Sequence, residues 1–119
     1  MGLESLITDL SVPIRLRITV PRLPAAVETT AYFVVAEALA NVVKHAHAHS
    51  AAVELAVDGD QLDIRVVDDG VGGADVHGSG LTGLMDRVES ISGSLVVTSS
   101  AGNGTNLHAR LPIPWSRPV

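Results

Sequence analysis

Residues 37–45 read Glu37-Ala38-Leu39-Ala40-Asn41-Val42-Val43-Lys44-His45, and the fold turns on whether this run is a helix. At about 100° per residue, Glu37, Asn41, Lys44 and His45 then fall within an arc of roughly 100° on one face. A carboxylate, an amide, an ammonium and an imidazole stand together there. Val34, Val35, Ala38, Leu39, Val42 and Val43 supply the apolar surface that would hold such a helix on a core. A polar stripe on an anchored helix is expected to face a ligand. Pro24 suits the first helical turn, where its missing N–H is no loss, and the period runs from there to about Ala46.

Downstream, two alternating segments, 51–57 and 62–68, flank Asp58-Gly59-Asp60-Gln61, turn chemistry that predicts an antiparallel hairpin. Leu62, Ile64 and Val66 share a face, and the same parity brings Asp68, rather than Asp69, to the core side. A buried carboxylate without a partner costs several kcal/mol, so Asp68 needs one. Residues 70–80 are rich in glycine and aperiodic, which predicts a loop. From Leu81 the helical period returns through Leu84, Met85, Val88 and Ile91, with Gly93 as the expected C-terminal cap. Residues 95–99 and 105–111 predict a closing hairpin around Ala101-Gly102-Asn103-Gly104.

Upstream, Ile14, Leu16, Ile18 and Val20 alternate with Arg15, Arg17 and Thr19, a half-buried strand. Leu3, Leu6, Ile7 and Leu10 keep helical spacing, either as a short core helix or as the end of a longer upstream one. Three helices and about five strands, with hairpins in the second half, pack most simply as one mixed sheet covered on one face by helices. That is an α+β two-layer sandwich. Residues 1–13 are expected to lead in, 14–114 to form the domain, and 115–119 to trail as a tail.

Composition narrows the function. A chain of 119 residues that is 46% hydrophobic suits one domain, burying roughly two-thirds of its unfolded surface. Tyr32, Phe33 and Trp115 are its only aromatics, too few for a base-stacking platform. A net charge of -5 disfavours phosphate-backbone binding, so no nucleic-acid partner is expected. With no cysteine there is no disulfide framework and no thiolate metal site. No apolar run approaches the roughly 18 residues of a membrane helix, and no signal peptide opens the chain. No membrane contact by this domain is expected.

Taken singly, the local motifs are ambiguous. Gly78-Ser79-Gly80-Leu81-Thr82-Gly83 matches the G-x-G-x-x-G pattern, but a dinucleotide fold would place it directly after a strand, and here it follows a loop. What remains is physical: glycines admit close approach, and a helix beginning near Gly80 offers N–H groups to phosphate. Asp68-Asp69-Gly70-Val71-Gly72 is a turn or a cation loop, though Asp68, Asp69 and Asp75 are few ligands for calcium. His45, His47 and His49 diverge on a helix, which disfavours a zinc site. His77 and His108 default to solvated roles.

Taken in order, these motifs make the chain resemble the ATP-binding catalytic domain of bacterial sensor histidine kinases, in the superfamily of gyrase, Hsp90 and MutL. It is most similar to the short-lid branch of nitrate sensors and DesK-type kinases, over about residues 14–114. Glu37, Asn41, Lys44 and His45 stand at that family's N box, Asp68, Gly70 and Gly72 at its G1 box, Gly78, Gly80 and Gly83 at its G2 box, and Gly104-Thr105 at its closing motif. The resemblance implies a Bergerat fold with ATP and Mg²⁺ as cofactors. It implies that Asp68 accepts a hydrogen bond from the adenine amino group, with Thr105 holding Asp68 or a bridging water. It further implies that Asn41 is the Mg²⁺ ligand, that Lys44 and His45 face the triphosphate, that Leu81 joins the G2 glycines, and that Glu37 is the catalytic residue beside the γ-phosphate.

In the family, the dimerisation helices and the phosphoacceptor histidine precede this domain, and residues 1–13 are too short to contain them. The expected partners are therefore ATP, an upstream dimerisation and phosphoacceptor domain, and a cognate response regulator, in the cytoplasm. The chain alone is expected to bind Mg-ATP with little or no kinase activity. An anti-sigma-factor-type serine protein kinase of the same fold and a non-catalytic nucleotide-sensing module are the alternatives.

Overall fold

The computed structural model describes residues 12–45, 48–70, 79–99, 102 and 104–115, with the backbone alone for Lys44, His45, Ser79 and Gly80. Its elements follow in the order β1 (Ile14–Thr19), α1 (Ala25–His45), β2 (Ala51–Asp58), β3 (Gln61–Asp68), α2 (Ser79–Ser90), β4 (Ser94–Ser99) and β5 (Thr105–Pro112). The helix expected at residues 3–10 lies outside the described residues, as do 71–78 of the expected loop.

The strands form one mixed sheet in the order β1-β2-β3-β5-β4. β1 runs parallel to β2, with Ile14 opposite Ala51, and the remaining neighbours are antiparallel. Parallel neighbours require a crossover, and α1 supplies it. The expected hairpin closes with Asp58 opposite Gln61 and with Gly59 at φ 62°, a conformation that glycine adopts without a side-chain penalty.

One face of the sheet is the core floor. Val53, Leu55, Leu62, Ile64, Ala109 and Leu111 are each no more than 1% exposed, as are Ala31, Val34, Val35 and Leu39 of α1 above them. Burying a side chain of this size contributes about 1.5–3 kcal/mol, so this contact dominates the fold. Ala25–Val43 is long and apolar enough to cross a membrane by length and composition, contrary to the sequence expectation. Val27, Ala31, Val34, Val35, Ala38 and Leu39 of this stretch pack in the core, while Tyr32 and Val43 are exposed. The opposite sheet face is mainly polar, with Val67 and Val96 exposed on it: Arg110 donates from Nε to Asp63 at 2.7 Å and from Nη2 to Asp58 at 3.2 Å. The result is the expected α+β sandwich, with α1 and α2 as its described helical layer.

α2 is fastened to α1 by the Arg87 guanidinium, which lies 3.7 Å over the Phe33 ring. Its C-terminus closes with Ser92 N–H on the Glu89 carbonyl and Gly93 N–H on the Val88 carbonyl, each at 2.9 Å. The left-handed residue there is Ser92, φ 64°, one position before the expected cap. Gly93 is needed for packing: a Cβ on it would lie 2.8 Å from the Arg110 carbonyl and 2.9 Å from Val88 Cγ1. At the far end of the β2–β3 hairpin, Trp115 Nε1 donates to the Gly59 carbonyl at 3.4 Å.

Candidate functional site

α1 carries Glu37 and Asn41 one turn apart, both half-buried, while the neighbouring Ala38, Leu39 and Val42 are buried. The apolar side of the helix is pinned to the sheet, so the directions of these two side chains are fixed by the core. Among the described residues neither makes a hydrogen bond or an ion pair. A half-buried carboxylate and amide without internal partners keep their acceptors and donors available to a ligand. Lys44 and His45 occupy the last turn of the same helix by their backbone, and their side chains are outside the described residues.

Asp68 ends β3 and is 7% exposed, in line with the strand parity. Its Oδ1 accepts the Gly70 N–H at 2.8 Å, a local turn that supplies part of the partner it requires. Among the described residues its second oxygen has no hydrogen-bond partner. β3 sets Asp68 opposite Ala51 of β2 and Thr105 of β5. Gly104, at φ 73°, comes so close that a Cβ on it would run into the Asp68 carbonyl oxygen. The Thr105 hydroxyl sits 2.9 Å from Ser99 Oγ, so in this structure it engages β4 rather than the Asp68 carboxylate.

Asp69 has a role that the sequence left open between turn and cation loop. Its Oδ1 accepts the N–H groups of His49 at 2.9 Å and Ser50 at 3.0 Å, and its Oδ2 accepts the Ser50 hydroxyl at 3.1 Å. Its own N–H donates to the Ser50 carbonyl at 3.3 Å. These donors, led by the Ser50 N–H, hold its carboxyl below the usual value of 3.8. Only the parity that sends Asp69 away from the core hinted at this, because its partners lie 19 and 20 positions back in the chain.

Of the glycines, Gly70 is buried, Gly80 lies in the first turn of α2, and Gly72 and Gly78 fall outside the described residues. Leu81 is 6% exposed and packs in the core. Among the described residues a Cβ on Gly83 would meet nothing within 4 Å, although a glycine inside a helix costs about 0.5–1 kcal/mol relative to alanine. No packing among the described residues therefore asks for glycine at 83. A cavity of about 440 Å³ is lined by Pro13, Arg15, Ser50, Val67, Asp68 and Asp69, and neither Glu37 nor Asn41 lines it.

Among the described residues no three His, Cys, Asp or Glu side chains gather to hold a metal. His108 is on the outer sheet face, 3.3 Å from Asp63 Oδ1, and His49 is at the exposed turn before β2; His47 and His77 lie outside the described residues.

Residues 26–114 match the model of the histidine kinase-, DNA gyrase B- and HSP90-like ATPases. The chain is 35% identical over 91 residues to the sensor histidine kinase YxjM of Bacillus subtilis (strain 168), an alignment spanning 76% of this chain and 22% of that protein. Among solved structures, the blue-light activated histidine kinase of Erythrobacter litoralis EL346 superimposes with a TM-score of 0.80 at 20% identity, over 92% of this chain and 39% of that one. The Acinetobacter baumannii histidine kinase AdeS gives 0.73 at 14% identity, over 96% of this chain and 60% of the other. The chain thus spans 22% of the length of its curated relative.

Proposed function

We propose that this chain, which belongs to the histidine kinase-, DNA gyrase B- and HSP90-like ATPase family, is the Mg-ATP-binding catalytic domain of a two-component sensor histidine kinase. In the full-length protein it donates the γ-phosphate to a histidine on an upstream dimerisation domain, from which a response regulator takes it. The domain works in the cytoplasm. The observation that carries this reading is Asp68: a carboxylate 7% exposed, held by one backbone N–H and with its other oxygen unclaimed among the described residues. Such a group is poised to accept from a neutral amino donor such as that of adenine. A charge-assisted bond of this kind contributes about 1.5–3 kcal/mol.

The α1 stripe serves the other end of the nucleotide. A cation at this end would arrive with the phosphates, needing few protein oxygens. That suits Mg²⁺, which keeps phosphate and water ligands, with the amide oxygen of Asn41, which has no side-chain partner among the described residues, to hold it. When bound, the ion screens the charge of the triphosphate. Glu37, one turn earlier, orients the attacking imidazole of the phosphoacceptor and takes up its proton. Lys44 and His45 add positive charge at that end, Gly70 and Gly72 shape the adenine side, Thr105 lies beside Asp68 in strand register rather than bonding its carboxylate, and Gly78, Gly80, the backbone of Leu81, and Gly83 form the phosphate cradle. Gly83 supports that role because nothing in the described packing requires it.

Titration calorimetry tests the reading. The chain is expected to bind Mg-ATP and to transfer phosphate only when a phosphoacceptor domain is supplied. Asp68→Ala is expected to weaken ATP binding at least about tenfold, the scale of one lost charge-assisted bond. Unchanged affinity would remove Asp68 from the site, and transfer to a serine of a supplied protein would favour the serine-kinase alternative.

A further inference from the structure

We infer that Asp69 is a positioning residue of the nucleotide site, a clasp that fastens the chain leaving the polar helix to the strand end that carries Asp68. The inference rests on the Mg-ATP reading above and adds to it a residue that touches no ligand.

Two parts of the site must keep a fixed separation for one nucleotide to span them. Asp68 marks one part and is held by the ladder of β3 with β2 and β5. Glu37 and Asn41 mark the other, and Asn41 lies near the C-terminal end of the described helix α1, Ala25–His45. Helix ends leave their last carbonyls without intrahelical partners and fray unless something holds the chain beyond them. Four residues past His45 the chain reaches His49 and Ser50, and there Asp69 takes hold of it. Its carboxylate accepts both backbone N–H groups and the Ser50 hydroxyl, and its own N–H donates to the Ser50 carbonyl.

The backbone bond from Asp69 to Ser50 prolongs the β2–β3 ladder by one step, because Asp68 pairs with Ala51 in register. The three bonds to the carboxylate do more than the ladder requires. They close the turn before β2 from outside, at a position where the side chain points away from the core. Asp68 and Asp69 thus divide the work by strand parity, one facing the ligand side and the other gripping the helix exit.

Asp69→Ala removes the clasp, while Asp69→Asn keeps an oxygen for the two N–H groups and offers its amide to the Ser50 hydroxyl. A purely local stabilising role would weaken all ligands alike. A positioning role weakens Mg-ATP, which spans both parts, more than adenosine, which needs only the Asp68 end. Calorimetry on the whole chain is expected to show Asp69→Ala losing about tenfold in Mg-ATP affinity and less than about threefold in adenosine affinity. Asp69→Asn should restore both. Hydrogen exchange supplies a second readout that needs no ligand: the amides of the last turn of α1, together with those of His49 and Ser50, should exchange faster in Asp69→Ala. Ser50→Ala, a milder change, should move exchange in the same direction if Asp69→Ala does not fold. Equal losses for adenosine and Mg-ATP, or unchanged exchange in the last turn of α1, overturns the inference. A wild-type chain that binds neither ligand overturns the Mg-ATP reading instead, and leaves the exchange result to judge the clasp.

Discussion

Gly104 lies against the backbone carbonyl of Asp68, and a Cβ added to it would run into that oxygen. The contact joins the turn before β5 to the end of β3 at the residue whose carboxylate is proposed to read adenine. Gly104→Ala therefore combines a steric clash with the cost of a side chain at φ 73°. It is expected to destabilise the domain by about 1–3 kcal/mol and to weaken ATP binding. Gly102→Ala is the control, because Gly102 has φ 83° but, among the described residues, nothing within 4 Å of its Cβ position. It should show the conformational cost alone, with ATP affinity intact, in urea melts paired with calorimetry.

Glu37 and Asn41 share a face of α1 but should fail differently. Glu37→Gln is expected to keep ATP affinity within about threefold while slowing phosphotransfer to a supplied phosphoacceptor domain by about 10²–10⁴-fold, the range of a lost general base. Asn41→Ala should instead abolish the tightening of ATP binding by Mg²⁺, by about tenfold. Titrations with Mg²⁺ and with EDTA separate the two, and an unchanged Mg²⁺ effect in Asn41→Ala removes it as the metal residue.

The donors around Asp69 keep it ionised in the folded state below its ordinary value of 3.8. The unfolded chain binds the proton first, so the stabilisation from this carboxylate is fully present above that value and fades as pH falls through the lower folded one. In urea melts from neutral to acid pH, the difference between wild type and Asp69→Asn should shrink as the solution is acidified. A difference that is flat with pH contradicts the assignment.

Gly93→Ala tests the core apart from the site. Its Cβ would lie 2.8 Å from the Arg110 carbonyl, 2.9 Å from Val88 Cγ1 and 3.0 Å from Leu111 Cδ2, so α2 must move off the sheet. A loss of about 1–3 kcal/mol in a denaturant melt is expected, the usual cost of overpacking.

Asp68 was legible in the sequence because strand parity is a local property: two residues after buried Val66 is again the buried face. The shared helix face of Glu37 and Asn41 was legible for the same reason in helical period. Asp69 was not, because its role depends on donors 19 and 20 positions away, which only the folded sheet brings to it. Ser92 and Gly93 show a second limit. Spacing predicts Gly93 as the cap, but the carbonyl of Arg110 and the Val88 side chain claim the space of its Cβ, and Ser92 takes the left-handed position instead. Local spacing reports which face a residue is on, and it does not report which distant backbone will press against it.

The single tryptophan of the chain, Trp115, bonds to the Gly59 carbonyl at the turn that begins β3, whereas Asp68 ends that strand. The eight residues of β3 separate the two, roughly 23 Å at the rise of an extended strand. The indole therefore has a vantage point remote from the proposed nucleotide site. Its emission should report loss of the folded sheet while staying silent as ligand comes and goes, which gives the molecule a built-in optical gauge of unfolding that added ATP does not disturb.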